Sequence, residues 1–146
     1  MKIVPIFMFG ETLDEGGLFA AKFDGEVIDE YNKFMDSMFD DSFLYEFFTN
    51  NIADISNGYF DYTIDNAIQQ TRHEVFNLEA SILDIADGGI KNEITLDRLF
   101  VALNDYVYEF KPLRTSKARA TLIGLKSPWC RLYAIRIDAN LYVVTG

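Results

Sequence analysis

The residues best suited to chemistry are cations and one tyrosine near the carboxyl end of the chain. Alternation along residues 131–137 puts Arg131 and Tyr133 on one face of a strand and Arg136 on the other. Cations that converge on a sheet beside a tyrosine suit phosphodiester chemistry, because negative charge builds on the non-bridging oxygens. Five more cations precede or flank this strand: Lys111, Arg114, Lys117, Arg119 and Lys126.

Both faces of the segment 131–137 also carry apolar residues, which is typical of a central strand covered on both sides. An arginine in such a strand must bring its charge to water, a partner or a substrate. The cations therefore have two interpretations. They form an RNA or anion contact, or they lie on a solvated sheet edge, where lysine is common. For Arg131 the second interpretation is a salt bridge to an acidic helix.

The charge of the chain changes sign near residue 110. Residues 1–110 carry 22 acidic residues against 6 basic ones, whereas residues 111–146 carry 7 basic residues against a single acid, Asp138. A basic segment in a chain of net charge −10 favours a localised contact with an anion or with RNA.

Metal and nucleophile sites find little support in the sequence. His73 is the only histidine, so a zinc site with the usual His and Cys spacings is excluded and His73 is interpreted as structural. Cys130 has no histidine in a suitable partner position, so we interpret it as a small buried hydrophobe. The acidic pairs lack calcium-loop spacing, and the glycine pairs lack a phosphate-binding pattern. We therefore expect no metal and no cofactor.

Length and composition indicate one globular domain spanning residues 1–146, acidic and mainly helical over 1–110 and basic and β-rich over 111–146. A chain of 146 residues with 49% hydrophobic residues can bury a sizeable core. The single cysteine rules out an internal disulfide and favours a reducing cytosol. No apolar run reaches membrane-spanning length, so we expect a cytoplasmic protein with no membrane contact.

The N-terminal part is predicted to be two short strands followed by helices. The strands lie at 3–8 and 18–23, and Asp24-Gly25 closes the second one. A helical period begins at Val27, and Asp41 or Ser42 is expected to cap the next helix. The inward face of that second helix is predicted to be Leu44, Phe47, Phe48 and Ile52.

The remaining elements complete an α+β prediction. Asp61 or Thr63 is expected to open the longest helix, which ends at Gly88-Gly89, and Thr95 caps a shorter helix through Leu103. Strands are predicted at 119–125, 131–137 and 141–145, with a tight hairpin at 138–140. The predicted architecture is short N-terminal strands and several helices packed on a small antiparallel C-terminal sheet.

Aromatic residues crowd the region of the second predicted helix. Their spacing of three and four residues indicates a core face, and a remaining patch could serve a protein partner. The residues concerned are Phe39, Phe43, Tyr45, Phe47 and Phe48.

The carboxyl-terminal motifs resemble a family of bacterial toxins. The run Arg-Leu-Tyr-Ala-Ile-Arg-Ile-Asp at 131–138, followed by Leu-Tyr-Val-Val-Thr-Gly at 141–146, is similar to the last two strands of the RelE/HigB-like toxins of toxin–antitoxin modules. The helices, then Phe-Lys-Pro-Leu at 110–113, then Lys117 and Arg119 entering a strand, also follow the order of that family.

The resemblance implies a RelE-like fold and a small endoribonuclease that cuts mRNA, often in the ribosomal A site, and is inhibited by a cognate antitoxin protein. It implies that the strand arginine falls on Arg131, which stabilises the phosphate, and that the basic pair before the sheet falls on Lys117 and Arg119. Tyr133 is the candidate for proton transfer. The expected RNA contacts are this basic pair and two neighbouring cations: Lys111, Lys117, Arg119 and Arg136.

A second hypothesis is non-catalytic. The chain is then a protein-interaction module, such as a shortened toxin homologue that binds an antitoxin or another basic partner on its acidic helices. Members of the toxin family also continue past the last strand into a further basic segment. Because residues 141–145 read as a strand with apolar residues on both faces, we expect either more residues after Gly146 or a second copy forming a homodimer.

Overall fold

A computed structural model describes residues 1–56, 62–88, 95–102, 115–118 and 129–146. The strands are β1 (Lys2–Met8), β2 (Gly17–Lys22), β3 (Val101–Ala102), β4 (Thr115–Ala118), β5 (Leu132–Asp138) and β6 (Leu141–Val144). The helices are α1 (Glu30–Met38), α2 (Asp41–Asn50), α3 (Ile52–Ile55), α4 (Ile64–Gly88) and α5 (Leu96–Leu99), with a 3₁₀ turn at Leu13–Glu15. The α+β prediction is confirmed.

The strands form a six-stranded sheet in the order β1-β2-β6-β5-β4-β3. The C-terminal strands pair antiparallel as expected, but the N-terminal hairpin joins the same sheet because β2 runs parallel to β6. The sheet is therefore mixed. At the start of this parallel pair the backbone N–H of Gly17 donates to the carbonyl of Asn140 over 2.8 Å. Gly16 beside it has φ 87°, and an added Cβ would lie 2.5 Å from that carbonyl oxygen, so only glycine fits.

Side-chain caps set the ends of the first two helices. The helical period suggested a start at Val27, but α1 begins at Glu30 because the Asp29 carboxylate accepts the backbone N–H of Asn32 over 3.0 Å. The cap of α2 is Asp40, one residue before the predicted Asp41, and it accepts two backbone N–H groups. The sequence analysis named Asp41 or Ser42 as the cap of α2 and named no cap for α1, so neither cap position was predicted.

The long helix α4 behaves as its apolar stripe predicted. The Thr63 hydroxyl accepts the backbone N–H of Asn66, and the helix ends at Gly88. Its buried face includes the predicted residues Val75, Leu78, Ile82 and Ile85.

The short helix α5 is capped by Thr95 as predicted, but it does not run to Leu103. It ends at Leu99, because Phe100 takes an extended backbone and stacks its ring on Tyr142 with the centroids 4.9 Å apart. Val101 and Ala102 then pair with β4. Leu103 and the predicted strand 119–125 lie outside the described residues.

The helices pack on one face of the sheet and bury two adjoining apolar clusters. The larger cluster joins the sheet to α1, α4 and α5, and the smaller one joins α2 and α3 to the first turns of α4. Trp129, just before β5, packs against both clusters. Among the described helices, none is long and apolar enough to cross a membrane.

Candidate functional site

Two polar residues of α4 hold the chain at the entrance to β5. The Trp129 indole N–H donates to the Thr71 hydroxyl over 2.9 Å, and the backbone N–H of Cys130 donates to the Glu74 carboxylate over 3.0 Å. Gln70 donates to the second oxygen of Glu74 over 2.9 Å. Residues three apart share a helix face, so Thr71 and Glu74 together hold Trp129 and Cys130 against α4.

A groove opens beside this strand entrance, between α1, α2, α3 and the start of β5. Its volume is about 550 Å³, and we call it the aromatic groove. Its lining is mainly apolar: Phe34, Met38, Phe43, Leu44, Phe47, Phe48, Asp54, Ile55, Thr71, Trp129, Cys130, Arg131 and Tyr133.

Aromatic rings run in a row from the surface to the floor of the groove. Phe43 and Phe47 stack with centroids 6.4 Å apart, and Phe47 meets Phe48 edge-on at 5.4 Å. Phe48 in turn contacts Trp129 at 5.8 Å. Phe48 is buried at 6% exposure, whereas the neighbouring Phe47 is 50% exposed. The prediction that Phe47 faces inward is therefore wrong, because α2 buries only the stripe of Leu44 and Phe48.

The helices around the groove are strongly acidic. Residues 29–56 carry seven acidic side chains and one basic side chain, Lys33. The Lys33 ammonium lies 3.5 Å from both Glu26 and Glu30, so its charge is already compensated. Asp54 is one of the lining residues. The helices on this side of the groove therefore carry a net negative charge, although Arg72 pairs with Asp41 over 3.3 Å, and Arg131 supplies a positive charge on the strand side.

Two predicted site residues, Arg131 and Tyr133, meet in the groove. Arg131 is half-buried, and Tyr133 is 42% exposed. The segment after β6 holds the backbone of Tyr133: the Tyr133 N–H donates to the Gly146 carbonyl over 2.7 Å, and the Tyr133 carbonyl accepts from the Thr145 N–H over 2.9 Å. The register of the sheet sets Lys117 in β4 directly opposite Tyr133. Lys111 and Arg119 lie outside the described residues.

Arg136 is placed differently from the RNA contact that we expected. It is 3% exposed, and its Nε donates to the Asp97 carboxylate over 2.9 Å. Asp97 also accepts from the Tyr142 hydroxyl and from the backbone N–H of Asn140. Arg136 therefore ties the β5–β6 hairpin to α5, and we leave it out of the candidate site.

Burial and nearby charges change the acidity of three groups in this part of the molecule. Burial raises the pKa of Glu74, against the hydrogen bond from Cys130 and the nearby charge of Arg131, which lower it. Burial and then the charge of Glu74 raise the pKa of Cys130 to about 12, so the thiol stays protonated as a small apolar residue. Burial alone would raise the pKa of Asp97, but the hydrogen bonds from Arg136 and Tyr142 outweigh this effect and hold the pKa below its usual range.

The sequence analysis missed Thr71 and Glu74. Both lie on the buried stripe of α4 between Ala67 and Leu78, and a polar residue at a core position of a helix normally needs a specific partner. That signal was present in the sequence. In the part of the chain that the structure describes, no group of three or more His, Cys, Asp or Glu residues is arranged to hold a metal ion.

Comparison with family models, curated proteins and solved structures gave no match to this chain. The resemblance to RelE/HigB-like toxins consequently rests on the carboxyl-terminal sequence motifs.

Proposed function

We propose that the protein is a toxin-like endoribonuclease that cuts mRNA in the cytoplasm, on the ribosome or free of it. The observation that carries the proposal is the meeting of Arg131 and Tyr133 in one groove, with Lys117 opposite Tyr133 in the sheet register. The sequence resemblance to RelE/HigB-like toxins assigns the same residues to RNA cleavage.

The chemistry follows from the nature of these groups. The ribose 2′-oxygen attacks the adjacent phosphorus, the bond to the 5′-oxygen breaks, and negative charge grows on the non-bridging oxygens. The Arg131 guanidinium stabilises that charge. The Tyr133 phenol gives its proton to the leaving 5′-oxygen, while the 2′-hydroxyl proton passes to water. Lys117, with Lys111 and Arg119, positions the RNA backbone, and no cofactor is needed.

Substitution of Arg131 tests this proposal. We expect wild-type protein to arrest growth on induction and to cut mRNA in a translating extract. Arg131→Ala should lower the cleavage rate about a hundredfold, because one charge-stabilising donor is removed from the transition state. Tyr133→Phe should also slow cleavage. Arg98→Ala removes an exposed cation on α5 and is the matched control. Equal behaviour of wild type and Arg131→Ala in both assays defeats the enzymatic proposal.

The toxin proposal also includes an inhibitor. A cognate antitoxin encoded beside the gene should suppress the growth arrest when it is co-expressed. A neighbouring gene for a small helix-turn-helix protein is the first candidate to test, and failure of every adjacent product to suppress the arrest counts against a toxin–antitoxin module.

The second candidate function is a non-catalytic protein-interaction module. The observation that favours it is the aromatic groove itself, where Phe43 and Phe47 stay exposed beside an acidic rim. A displayed library of random peptides, selected on wild type and counter-selected on Phe47→Asp, tests it. We expect peptides whose binding requires Phe47, and a selection that yields none removes this candidate whatever the outcome of the cleavage assays.

A further inference from the structure

We propose that the aromatic groove binds a lysine- or arginine-rich amphipathic helix of a partner protein. The inference rests on the second candidate function, docking at the groove, and not on RNA cleavage; a helix bound there would occupy the groove that the first proposal assigns to RNA. It adds the secondary structure and the charge of the partner. Three observations carry it: the exposed rings, the charge of the rim and the condition of the sheet edges.

The exposed rings supply the apolar part of the contact. Phe43 and Phe47 lie one helical turn apart on α2, and their centroids are separated by 6.4 Å. A helical turn rises about 5.4 Å, so side chains four residues apart on a bound helix match this spacing. Below the two rings, Phe48 and Trp129 close the floor. The groove is open to solvent and has a volume of about 550 Å³.

The rim sets the charge of the partner. Asp54 and Arg131 both line the groove, while the surrounding residues 29–56 contribute seven acids, one of them paired with Arg72, against Lys33. The charge of Lys33 is compensated by Glu26 and Glu30, so Lys33 does not cancel the negative charge of the other acids. A cationic helix is attracted by this negative charge, whereas an acidic helix is repelled. A second copy of the chain would bring an equally acidic rim against the first, so like charges oppose self-association there.

The sheet edges argue against a partner strand. Among the described strands the edges of the sheet are β1 and β3. β1 carries Pro5 and a register shift between Pro5 and Phe7, features that interrupt strand addition. Of β3 the structure describes two residues, Val101 and Ala102. The groove, in contrast, lies among helices, as in complexes in which an amphipathic helix fills an apolar groove.

Trp129 gives the test its signal, because it is the only tryptophan and lines the groove. Four synthetic peptides without aromatic residues are titrated while Trp129 fluorescence is followed. The first is an 18-residue helix with leucine on one face and lysine on the other. The second replaces every lysine with glutamate. The third has the composition of the first with the leucines scattered, and the fourth is the first with two central prolines.

We expect the amphipathic lysine helix to bind at least tenfold more tightly than each of the other three, and its affinity to fall as salt is raised. Phe47→Asp should weaken it by about thirtyfold or more, because an aromatic anchor of the contact is lost. Phe76→Asp makes the same change at a 63% exposed residue outside the groove and should leave the affinity unchanged. Circular dichroism establishes that both variants fold, and Phe47→Ser replaces Phe47→Asp if the latter does not.

The remaining outcomes are distinct. If the glutamate helix binds as tightly as the lysine helix, the predicted positive charge of the partner is wrong. If the proline peptide binds as tightly and its binding requires Phe47, the predicted helical structure of the partner is wrong. Docking at the groove stands in both cases. Binding that ignores Phe47, or no binding of the lysine helix, overturns the inference. The broader proposal that the groove docks a protein fails only if, in addition, the random-peptide selection yields no peptide whose binding requires Phe47.

Discussion

Glu74, in the middle of α4, accepts a 3.0 Å hydrogen bond from the backbone N–H of Cys130, at the entrance to β5. Fifty-six residues of sequence separate the two, so this bond ties the longest helix to the central strand of the sheet. The carboxylate is almost fully buried, and its second oxygen is engaged by Gln70. The position of Arg131 and Tyr133 in the groove depends on this connection, because both residues directly follow it.

Glu74→Ala should lower the free energy of unfolding by about 2–3 kcal/mol, since a buried N–H donor at Cys130 loses its acceptor. Glu74→Gln should cost less, because the amide oxygen can still accept that bond. Urea denaturation measures both, with the exposed Glu46→Gln as the control. A loss for Glu74→Ala no greater than that of the control would show that the contact contributes nothing to stability.

The same residue predicts a pH dependence. Because burial raises the pKa of Glu74 in the folded protein, its stabilising contribution is complete below the unfolded pKa of about 4.3 and is lost as pH rises through the higher folded value. The stability of Glu74→Gln relative to wild type should therefore increase across that interval. Urea denaturation at several pH values between 4 and 8 measures the difference, and a constant difference contradicts the assignment.

Asp97→Ala should destabilise the protein by about 2–3 kcal/mol at pH 7, because the buried Arg136 loses its ion pair with Asp97. The pKa of Asp97 is lowered in the folded state, so its contribution is present above the unfolded pKa of about 3.9 and is lost as pH falls through the lower folded value. The cost of the substitution should accordingly shrink in acid. Asp14→Ala, at an exposed aspartate, is the control, and an equal loss in both variants contradicts the prediction.

Phe47 and Phe48 are adjacent aromatic residues with opposite burial. Phe48→Ala should reduce the free energy of unfolding by about 3–5 kcal/mol, the usual cost of removing a buried ring. Phe47→Ala should change it by less than about 1 kcal/mol, because half of that side chain is already in water. Thermal or urea unfolding compares the two variants directly. A large loss at Phe47 would mean that the ring serves the core, which would weaken the docking proposal.

Cys130 should react slowly with a disulfide reagent in the native protein. Its pKa of about 12 leaves almost no thiolate at pH 8, so we expect a rate at least about a thousandfold below that of a free cysteine. Addition of urea should bring the rate to the ordinary value. Release of the coloured thiolate from the reagent gives the measurement, and fast labelling without urea would show that the β5 entrance opens readily.

Patterns within short stretches of the sequence predicted the faces of β5 and the turn that follows it. Alternation along β5 put Leu132 and Ala134 on one face with Arg136, and the structure buries all three. The turn after β5 was predicted over residues 138–140, where Asn or Asp can take a positive φ, and Asn140 has φ 52°. These features depend on neighbours within a few residues, which is the range over which periodicity and turn chemistry operate.

Features that depend on distant partners could not be predicted in the same way. The sequence indicated that a strand arginine needs a partner, but the partner of Arg136 is Asp97, 39 residues earlier. The parallel pairing of β2 with β6 joins opposite ends of the chain and has no local signal. The exposure of Phe47 was missed because helical spacing does not show how wide a stripe the neighbouring helices cover.

The strand order also dictates a sequence of events during synthesis. β6, the last strand to leave the ribosome among those described, lies between β2 and β5. The β1–β2 hairpin emerges more than a hundred residues earlier, and one of its edges has no partner until β6 arrives. Such non-local closure is slow and exposes apolar surface such as Leu18 and Ala20 in the meantime. We therefore expect the nascent chain to expose this edge during most of its synthesis, so slower elongation should increase its need for chaperones.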